Sequence, residues 1–307
     1  MYFLYSKEFD FIFPMRFGSA QRTGKQVFGE KFLKNHFCFG IKLIFCFLII
    51  SVANAQGSLF IIGGGKRPPE LLQKMLVEAG LEKNGYVVII PFASAEPDSA
   101  VFYAEKQFKE RNLQILGIID KNVSETRLDS IRNARLIYFT GGDQNKLIAT
   151  LRNTPLYEAI WQCYRNGGMI AGTSAGAAVM SKKMITGNEK KYKNYKETFQ
   201  TIEADNIEFA EGMGFLQKVI IDQHFLVRSR HNRLISAVIE FPEYLCVGID
   251  EATAIFVKKG IAEVVGDAQV LVFENPKKSK KVTQDKLGAK NLRLSVYLKG
   301  EKFKIGN

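Results

Sequence analysis

Between Ser58 and Asp250, short apolar runs rich in branched residues alternate with amphipathic stretches, and few folds accept such a pattern. Runs at Ser58–Ile62, Tyr86–Pro91, Gln114–Ile119, Leu136–Thr140, Met169–Gly172, Val219–Asp222 and Val247–Asp250 are expected to be strands. Helical spacing fills the intervals: Pro68–Ala79, Ser99–Arg111, Glu125–Asn133, Gln144–Leu151 running on to Pro155–Arg165, Ala175–Lys183 and Arg228–Glu240. Strand and helix in turn predict an α/β fold, a mainly parallel sheet flanked by helices on both faces. The tail reads differently. Ala252–Lys258, Ile261–Val265, Gln269–Phe273 and Leu292–Leu298 are strand-like with short turns, which predicts antiparallel C-terminal strands.

The first 55 residues do not belong to this pattern. Lys42 precedes an apolar run from Leu43 to Val52, followed by Ala53-Asn54-Ala55. The run is shorter than the roughly 20 residues a membrane-spanning helix needs. With a small-x-small site behind it, it reads as the core of a secretory signal cleaved after Ala55. An uncleaved anchor is the alternative, Met15 is a second candidate start, and in either case the body is expected to be secreted or periplasmic. Residues 1–55 are thus a signal region and 56–307 a single domain, since no linker interrupts them. Membrane contact is expected only through the signal segment.

Removing the seven basic and three acidic residues ahead of Gln56 lowers the formal net charge from +12 to +8. That charge is spread out except at Lys277-Lys278-Ser279-Lys280-Lys281, a run without interleaved aromatics, so no nucleic-acid partner is expected. Of four cysteines, Cys163 and Cys246 remain in the mature chain, each in an apolar setting that suits a buried thiol or a single disulfide. No Cys-x-x-Cys or His-Glu-x-x-His spacing occurs, so neither metal nor cofactor is expected.

The glycine-rich and polar segments fall at the predicted carboxyl ends of strands, where α/β sheets carry their sites. They are Gly63-Gly64-Gly65, Ala93–Glu96, Gly141–Gln144, Gly172–Gly176 and Asp222–Phe225. Gly172-Thr173-Ser174-Ala175-Gly176 follows an apolar strand and opens a helix, the context of a nucleophile elbow, with flanking glycines that allow a tight turn. A nucleophilic serine needs a base. Of the three histidines, His36 falls in the signal region, and His231 lies in a polar helix as a surface residue. His224 ends a core strand and is the candidate base. The orienting carboxylate is assigned to Glu189, shortly after the elbow helix, with Glu197, Glu203 and Asp205 as rivals.

Taken in order, Gly141-Gly142-Asp143-Gln144, Gly172–Ala177 and Asp222-Gln223-His224-Phe225-x-x-Arg228-x-Arg230-x-x-Arg233-Leu234 resemble the cyanophycinases. These are serine exopeptidases related to peptidase E, the aspartyl dipeptidases. The likeness runs from Ile61–Gly65 to Gly248-Ile249-Asp250-Glu251-Ala252-Thr253-Ala254. It implies a class I glutamine-amidotransferase-like fold, a homodimer, and Ser174, His224 and, approximately, Glu189 as the catalytic set. It further implies an oxyanion hole from the amide of Ala175 and one from the Gly142–Asp143 turn. Gln144, Gln223, Arg228, Arg230 and Arg233 would line the substrate pocket. Arginines that clamp carboxylates bidentately suit an acidic peptide polymer such as cyanophycin. The three span a little over one helical turn, so only some are expected to share a face with the pocket. An aspartyl dipeptidase, for which one arginine suffices, and a non-catalytic acidic-peptide binder are the alternatives.

Overall fold

A computed structural model gives the architecture and describes residues 56–109, 112–194 and 197–306. The predicted signal region lies outside the described residues. Residues 54–307 form one compact unit.

In chain order the first elements are β1 (Ser58–Ile62), α1 (Pro69–Glu78), β2 (Tyr86–Ile90), α2 (Pro97–Lys109), β3 (Gln114–Gly117), α3 (Glu125–Arg132) and β4 (Leu136–Phe139). Then come α4 (Gln144–Leu151), α5 (Pro155–Arg165), β5 (Met169–Thr173), α6 (Ala175–Ala178), β6 (Lys183–Glu189), β7 (Ile207–Glu211) and β8 (Val219–Gln223). The chain closes with α7 (His231–Glu240), β9 (Leu245–Ile249), β10 (Thr253–Lys258), β11 (Ile261–Gly266), β12 (Val270–Glu274), β13 (Lys281–Thr283), β14 (Lys286–Gly288), β15 (Arg293–Tyr297) and β16 (Lys302–Lys304).

Eight strands form the main sheet in the order β16-β11-β10-β1-β5-β4-β2-β3. Its β1, β5, β4, β2 and β3 run parallel, and β10, β11 and β16 add an antiparallel edge. The α/β class and the antiparallel tail are as the sequence predicts. Parallel strands are covered on both faces, which is why they read as unbroken apolar runs. Alternate residues sort to opposite sides: Leu59 and Ile61 join the core under α3, α4 and α5, while Phe60 and Ile62 join the one under α1 and α2.

Two features depart from the sequence reading. First, β8 and β9 are not in the main sheet; they pair in parallel in a second sheet of order β15-β12-β9-β8. Val219, Ile221, Val247 and Ile249 pack toward the main sheet, whereas Ile220 and Cys246 face α7. Second, the elbow helix stops at Ala178 instead of reaching Lys183. The chain then enters the hairpin β6–β7, whose Met184–Ala210 and Ile185–Phe209 pairs hold Lys183–Glu189 extended. Cys163 and Cys246 are both free and buried, and burial pushes the Cys163 thiol up to about 12.

Candidate active site

The site begins with the central strands. β5 lies between β1 and β4, so the chain leaving it is flanked by the Gly63–Gly65 and Gly141–Asp143 turns. Ser174 sits at the turn into α6 with φ 53° and ψ −111°, a strained conformation of the kind that costs about 1–3 kcal/mol. Its amide is anchored on the Ile62 carbonyl at 3.0 Å. The positive φ falls on the serine itself and not on its glycine neighbours. Gly172 and Gly176 are needed for closeness: a Cβ on Gly172 would lie 2.2 Å from the Gly176 carbonyl oxygen.

His224 follows β8, and so arrives from the second sheet. Its amide donates to the Gly63 carbonyl at 2.8 Å, which fixes it beside the end of β1. The ring's Nε2 lies 2.8 Å from Ser174 Oγ, and its Nδ1 lies 2.5 Å from Glu251 Oε1. Nδ1 facing a carboxylate carries the proton, leaving Nε2 to accept from the serine hydroxyl. Burial lowers the histidine's pKa, and the charges of Arg228 and Arg230 push the same way against the bond to Glu251. Neutral imidazole is therefore the favoured form around pH 7, as a base requires.

The carboxylate assigned from sequence is corrected by this geometry. Glu189 ends β6, where its Oε1 accepts from Asn206 Nδ2 at 2.7 Å, and both ring nitrogens of His224 already have other partners. The rivals also lie elsewhere: Glu197 pairs with Arg228, Glu203 binds Lys286 and Tyr192, and the amide of Asp205 binds Glu240. In the sequence Glu251 stands inside the Gly248–Ala254 motif without an assigned role. The clue was its place one residue beyond Asp250, where the chain passes from β9 to β10. Gly63-Gly64-Gly65 also gains a role here. Gly64 has φ 125°, and a Cβ there would meet His224 Cε1 at 2.2 Å; one on Gly65 would meet Glu251 Oε2 at 2.6 Å. The glycine run is the floor on which the histidine–carboxylate pair rests.

The other turn is sharpened as well. The Asp143 amide donates to the Ala93 carbonyl at 2.8 Å, and its side chain caps α4 by accepting from Asn145 and Lys146 amides. Of the two turn residues, Gly142 is then the one left to offer an N–H beside Ala175.

Next to Ser174 opens a cavity of about 320 Å³ lined by Gln144, Gln223, Arg228, Arg230 and Arg233, among others. All three arginines reach it, contrary to the helical-face argument. The helix starts only at His231, and Ser229, with φ 47°, breaks the turn ahead of it. Gln144 is held by its Nε2 donating to the Ile185 and Thr186 carbonyls at 3.1 and 2.7 Å. Asp222, fully buried and unassigned by sequence, is the organiser. It takes Arg233 in a bidentate pair, through Nε at 2.6 Å and through Nη2, and lies 3.6 Å from Arg230 Nη1. One buried carboxylate thus serves two buried guanidinium groups, so buried positive charge exceeds buried negative charge beside the cavity. Arg233 Nη1 has no hydrogen-bond partner among the described residues. His231, expected on the surface, is partly exposed and lies against Phe225 with ring centroids 5.0 Å apart.

Residues 59–265 match peptidase family S51. The chain belongs to this family of serine-type peptidases. It is 34% identical over 264 residues to a cyanophycinase of Trichormus variabilis, covering 81% of this chain and 85% of the relative. A cyanophycinase of Geminocystis herdmanii is likewise 34% identical over 263 residues, covering 81% and 93%. Among solved structures, a peptidase from an acI-B1 actinobacterium shares the fold with a TM-score of 0.59 and 24% identity, over 81% of this chain and 96% of that one.

Proposed function

We propose that this S51 peptidase hydrolyses cyanophycin or its fragments to β-Asp-Arg dipeptides through an acyl-enzyme on Ser174. The observation that carries the reading is the Ser174–His224–Glu251 relay at the mouth of a cavity whose buried arginines exceed its buried carboxylates. Ser174 Oγ attacks the scissile carbonyl as His224 Nε2 takes its proton, and Glu251 steadies the imidazolium. Amides of Ala175 and Gly142 receive the developing oxyanion. His224 returns the proton to the leaving amine; water then repeats the cycle in reverse and frees the acid. Each repeat of cyanophycin presents a free carboxylate near the scissile bond, and Arg233 Nη1 with Arg230 supplies the cationic contact.

The test is dipeptide release from cyanophycin by the purified protein and by Ser174→Ala, which should lose about 10³-fold or more in kcat. Undiminished activity in the variant would sink the mechanism, while cleavage of Asp-x dipeptides but not cyanophycin would shift the assignment to an aspartyl dipeptidase. Secretion and a homodimer complete the reading. Exported protein should begin at Gln56, and light scattering should return twice the mass of the mature chain.

A further inference from the structure

A second cavity, of about 440 Å³, is lined by Glu189, Lys191, Tyr192, Lys193, Gln200 and Thr201, among others. We propose that it is a second substrate subsite, taking a guanidinium-bearing unit of the peptide polymer beyond the two units that flank the scissile bond. The proposal rests on the hydrolase reading above.

Its anionic contact is Glu189. That carboxylate is 8% exposed, and among the described residues no lysine, arginine or histidine forms an ion pair with it. Asn206 fixes it, donating from Nδ2 to Glu189 Oε1 at 2.7 Å while its Oδ1 accepts from the Lys191 amide at 3.1 Å. A mostly buried carboxylate held by a neutral partner and opening onto a cavity is suited to receive a cation. Tyr192 offers a wall. Its hydroxyl is tied to the Glu203 carboxylate at 3.1 Å, leaving a partly exposed ring on which a planar guanidinium can stack. Thr201 adds a buried hydroxyl with no partner among the described residues. Lys193 supplies positive charge for a carboxylate of the same unit, while Lys191 Nζ is ion-paired with Asp285 at 3.4 Å. The lining is thus ampholytic, as the polymer is.

The two cavities are neighbours. Gly187 and Asn188 line the catalytic one and Glu189 the next. The segment from Thr198 to Thr201 starts against arginines of the first cavity: Thr198 Oγ1 donates to the Arg228 carbonyl at 2.6 Å, and the Phe199 ring lies 5.9 Å from the Arg233 guanidinium. Gln200 and Thr201 then turn to the second cavity. A chain seated at Ser174 can continue along the Gly187–Glu189 segment from one cavity to the next.

The experiment compares kcat and KM on cyanophycin with those on the two-unit oligomer of β-Asp-Arg, for wild type, Glu189→Gln and Lys193→Glu. Glu189→Gln keeps an oxygen for Asn206 and removes the charge, and Lys193 is exposed, so both variants should fold. The expected result is a KM for the polymer raised about tenfold by Glu189→Gln, with kcat and the oligomer unaffected. Lys193→Glu should raise the same KM and spare the oligomer. Equal losses on polymer and oligomer, or no loss on either, would overturn the subsite. Wild type inactive on both substrates would overturn the hydrolase reading, an outcome separate from any comparison of variants.

Discussion

Replacing Gly64 by alanine tests whether the glycine floor sets the catalytic geometry. The added Cβ would lie 2.2 Å from His224 Cε1, 2.6 Å from Nε2 and 2.7 Å from Nδ1. Ordinary contact begins at 3.4 Å, so the ring must recede by about 1.2 Å or tilt as far. A retreat of that size takes Nε2 out of hydrogen-bond range of Ser174 Oγ, now 2.8 Å away. A misplacement of about 1 Å costs roughly 10²-fold, and complete loss of the general base costs about 10²–10⁴-fold. The expected fall in kcat for Gly64→Ala is therefore about 10²–10⁴-fold, with KM changed far less because the arginine cavity is untouched. Stability should drop by about 1–3 kcal/mol, since φ 125° is foreign to alanine, yet the domain should remain folded. Dipeptide release gives kcat, and urea denaturation followed by circular dichroism gives stability. A folded variant within about tenfold of wild-type kcat would refute the reasoning, because His224 would then have room the geometry denies it.

Three further outcomes follow from the same site. Glu251→Gln should lower kcat by about 10²–10⁴-fold while Glu189→Gln leaves the kcat on a short oligomer intact; steady-state kinetics on the pair decides between the two carboxylates. Asp222→Asn leaves buried guanidinium charge uncompensated and should cost about 3–5 kcal/mol in urea denaturation, whereas a loss under about 1 kcal/mol would show the pair to be dispensable. For pH, burial, Arg228 and Arg230 depress His224 below 6.5, so the acid limb of kcat/KM should lie below pH 6.5. The same sign applies to stability. The histidine's contribution is whole above its unfolded value and is lost as pH falls through the lowered folded value. A limb above pH 6.5, or one that Arg228→Gln does not raise, would contradict the cause assigned.

The parallel strands were legible because burial on both faces leaves an unbroken apolar signature, and the elbow was legible because a serine between glycines sat where a strand met a helix. Which sheet a strand joins was not. Val219–Gln223 and Leu245–Ile249 have the composition of main-sheet strands, and their pairing with each other, with Leu245–Ile249 also pairing with Val270–Glu274, is a long-range fact no local pattern carries. Glu251 was missed for a related reason. The acidic residues between Ser174 and His224 are the nearer candidates in sequence, while the chain supplies the acid from the far side of His224. Lys183–Glu189 was overlooked as a strand because its extended state depends on pairing with Ile207–Glu211 across a bulge, a choice made by tertiary context.

Ser174 extends from the main sheet, His224 extends from the second, and Glu251 stands where β9 of one passes to β10 of the other. Catalytic competence is therefore a property of the seam between two sheets and of neither alone. A substitution in the shared core that slides one layer against the other by about 1 Å would cut turnover roughly a hundredfold while every strand stayed intact. Turnover is then a finer gauge of how the layers are seated than any measure of secondary structure.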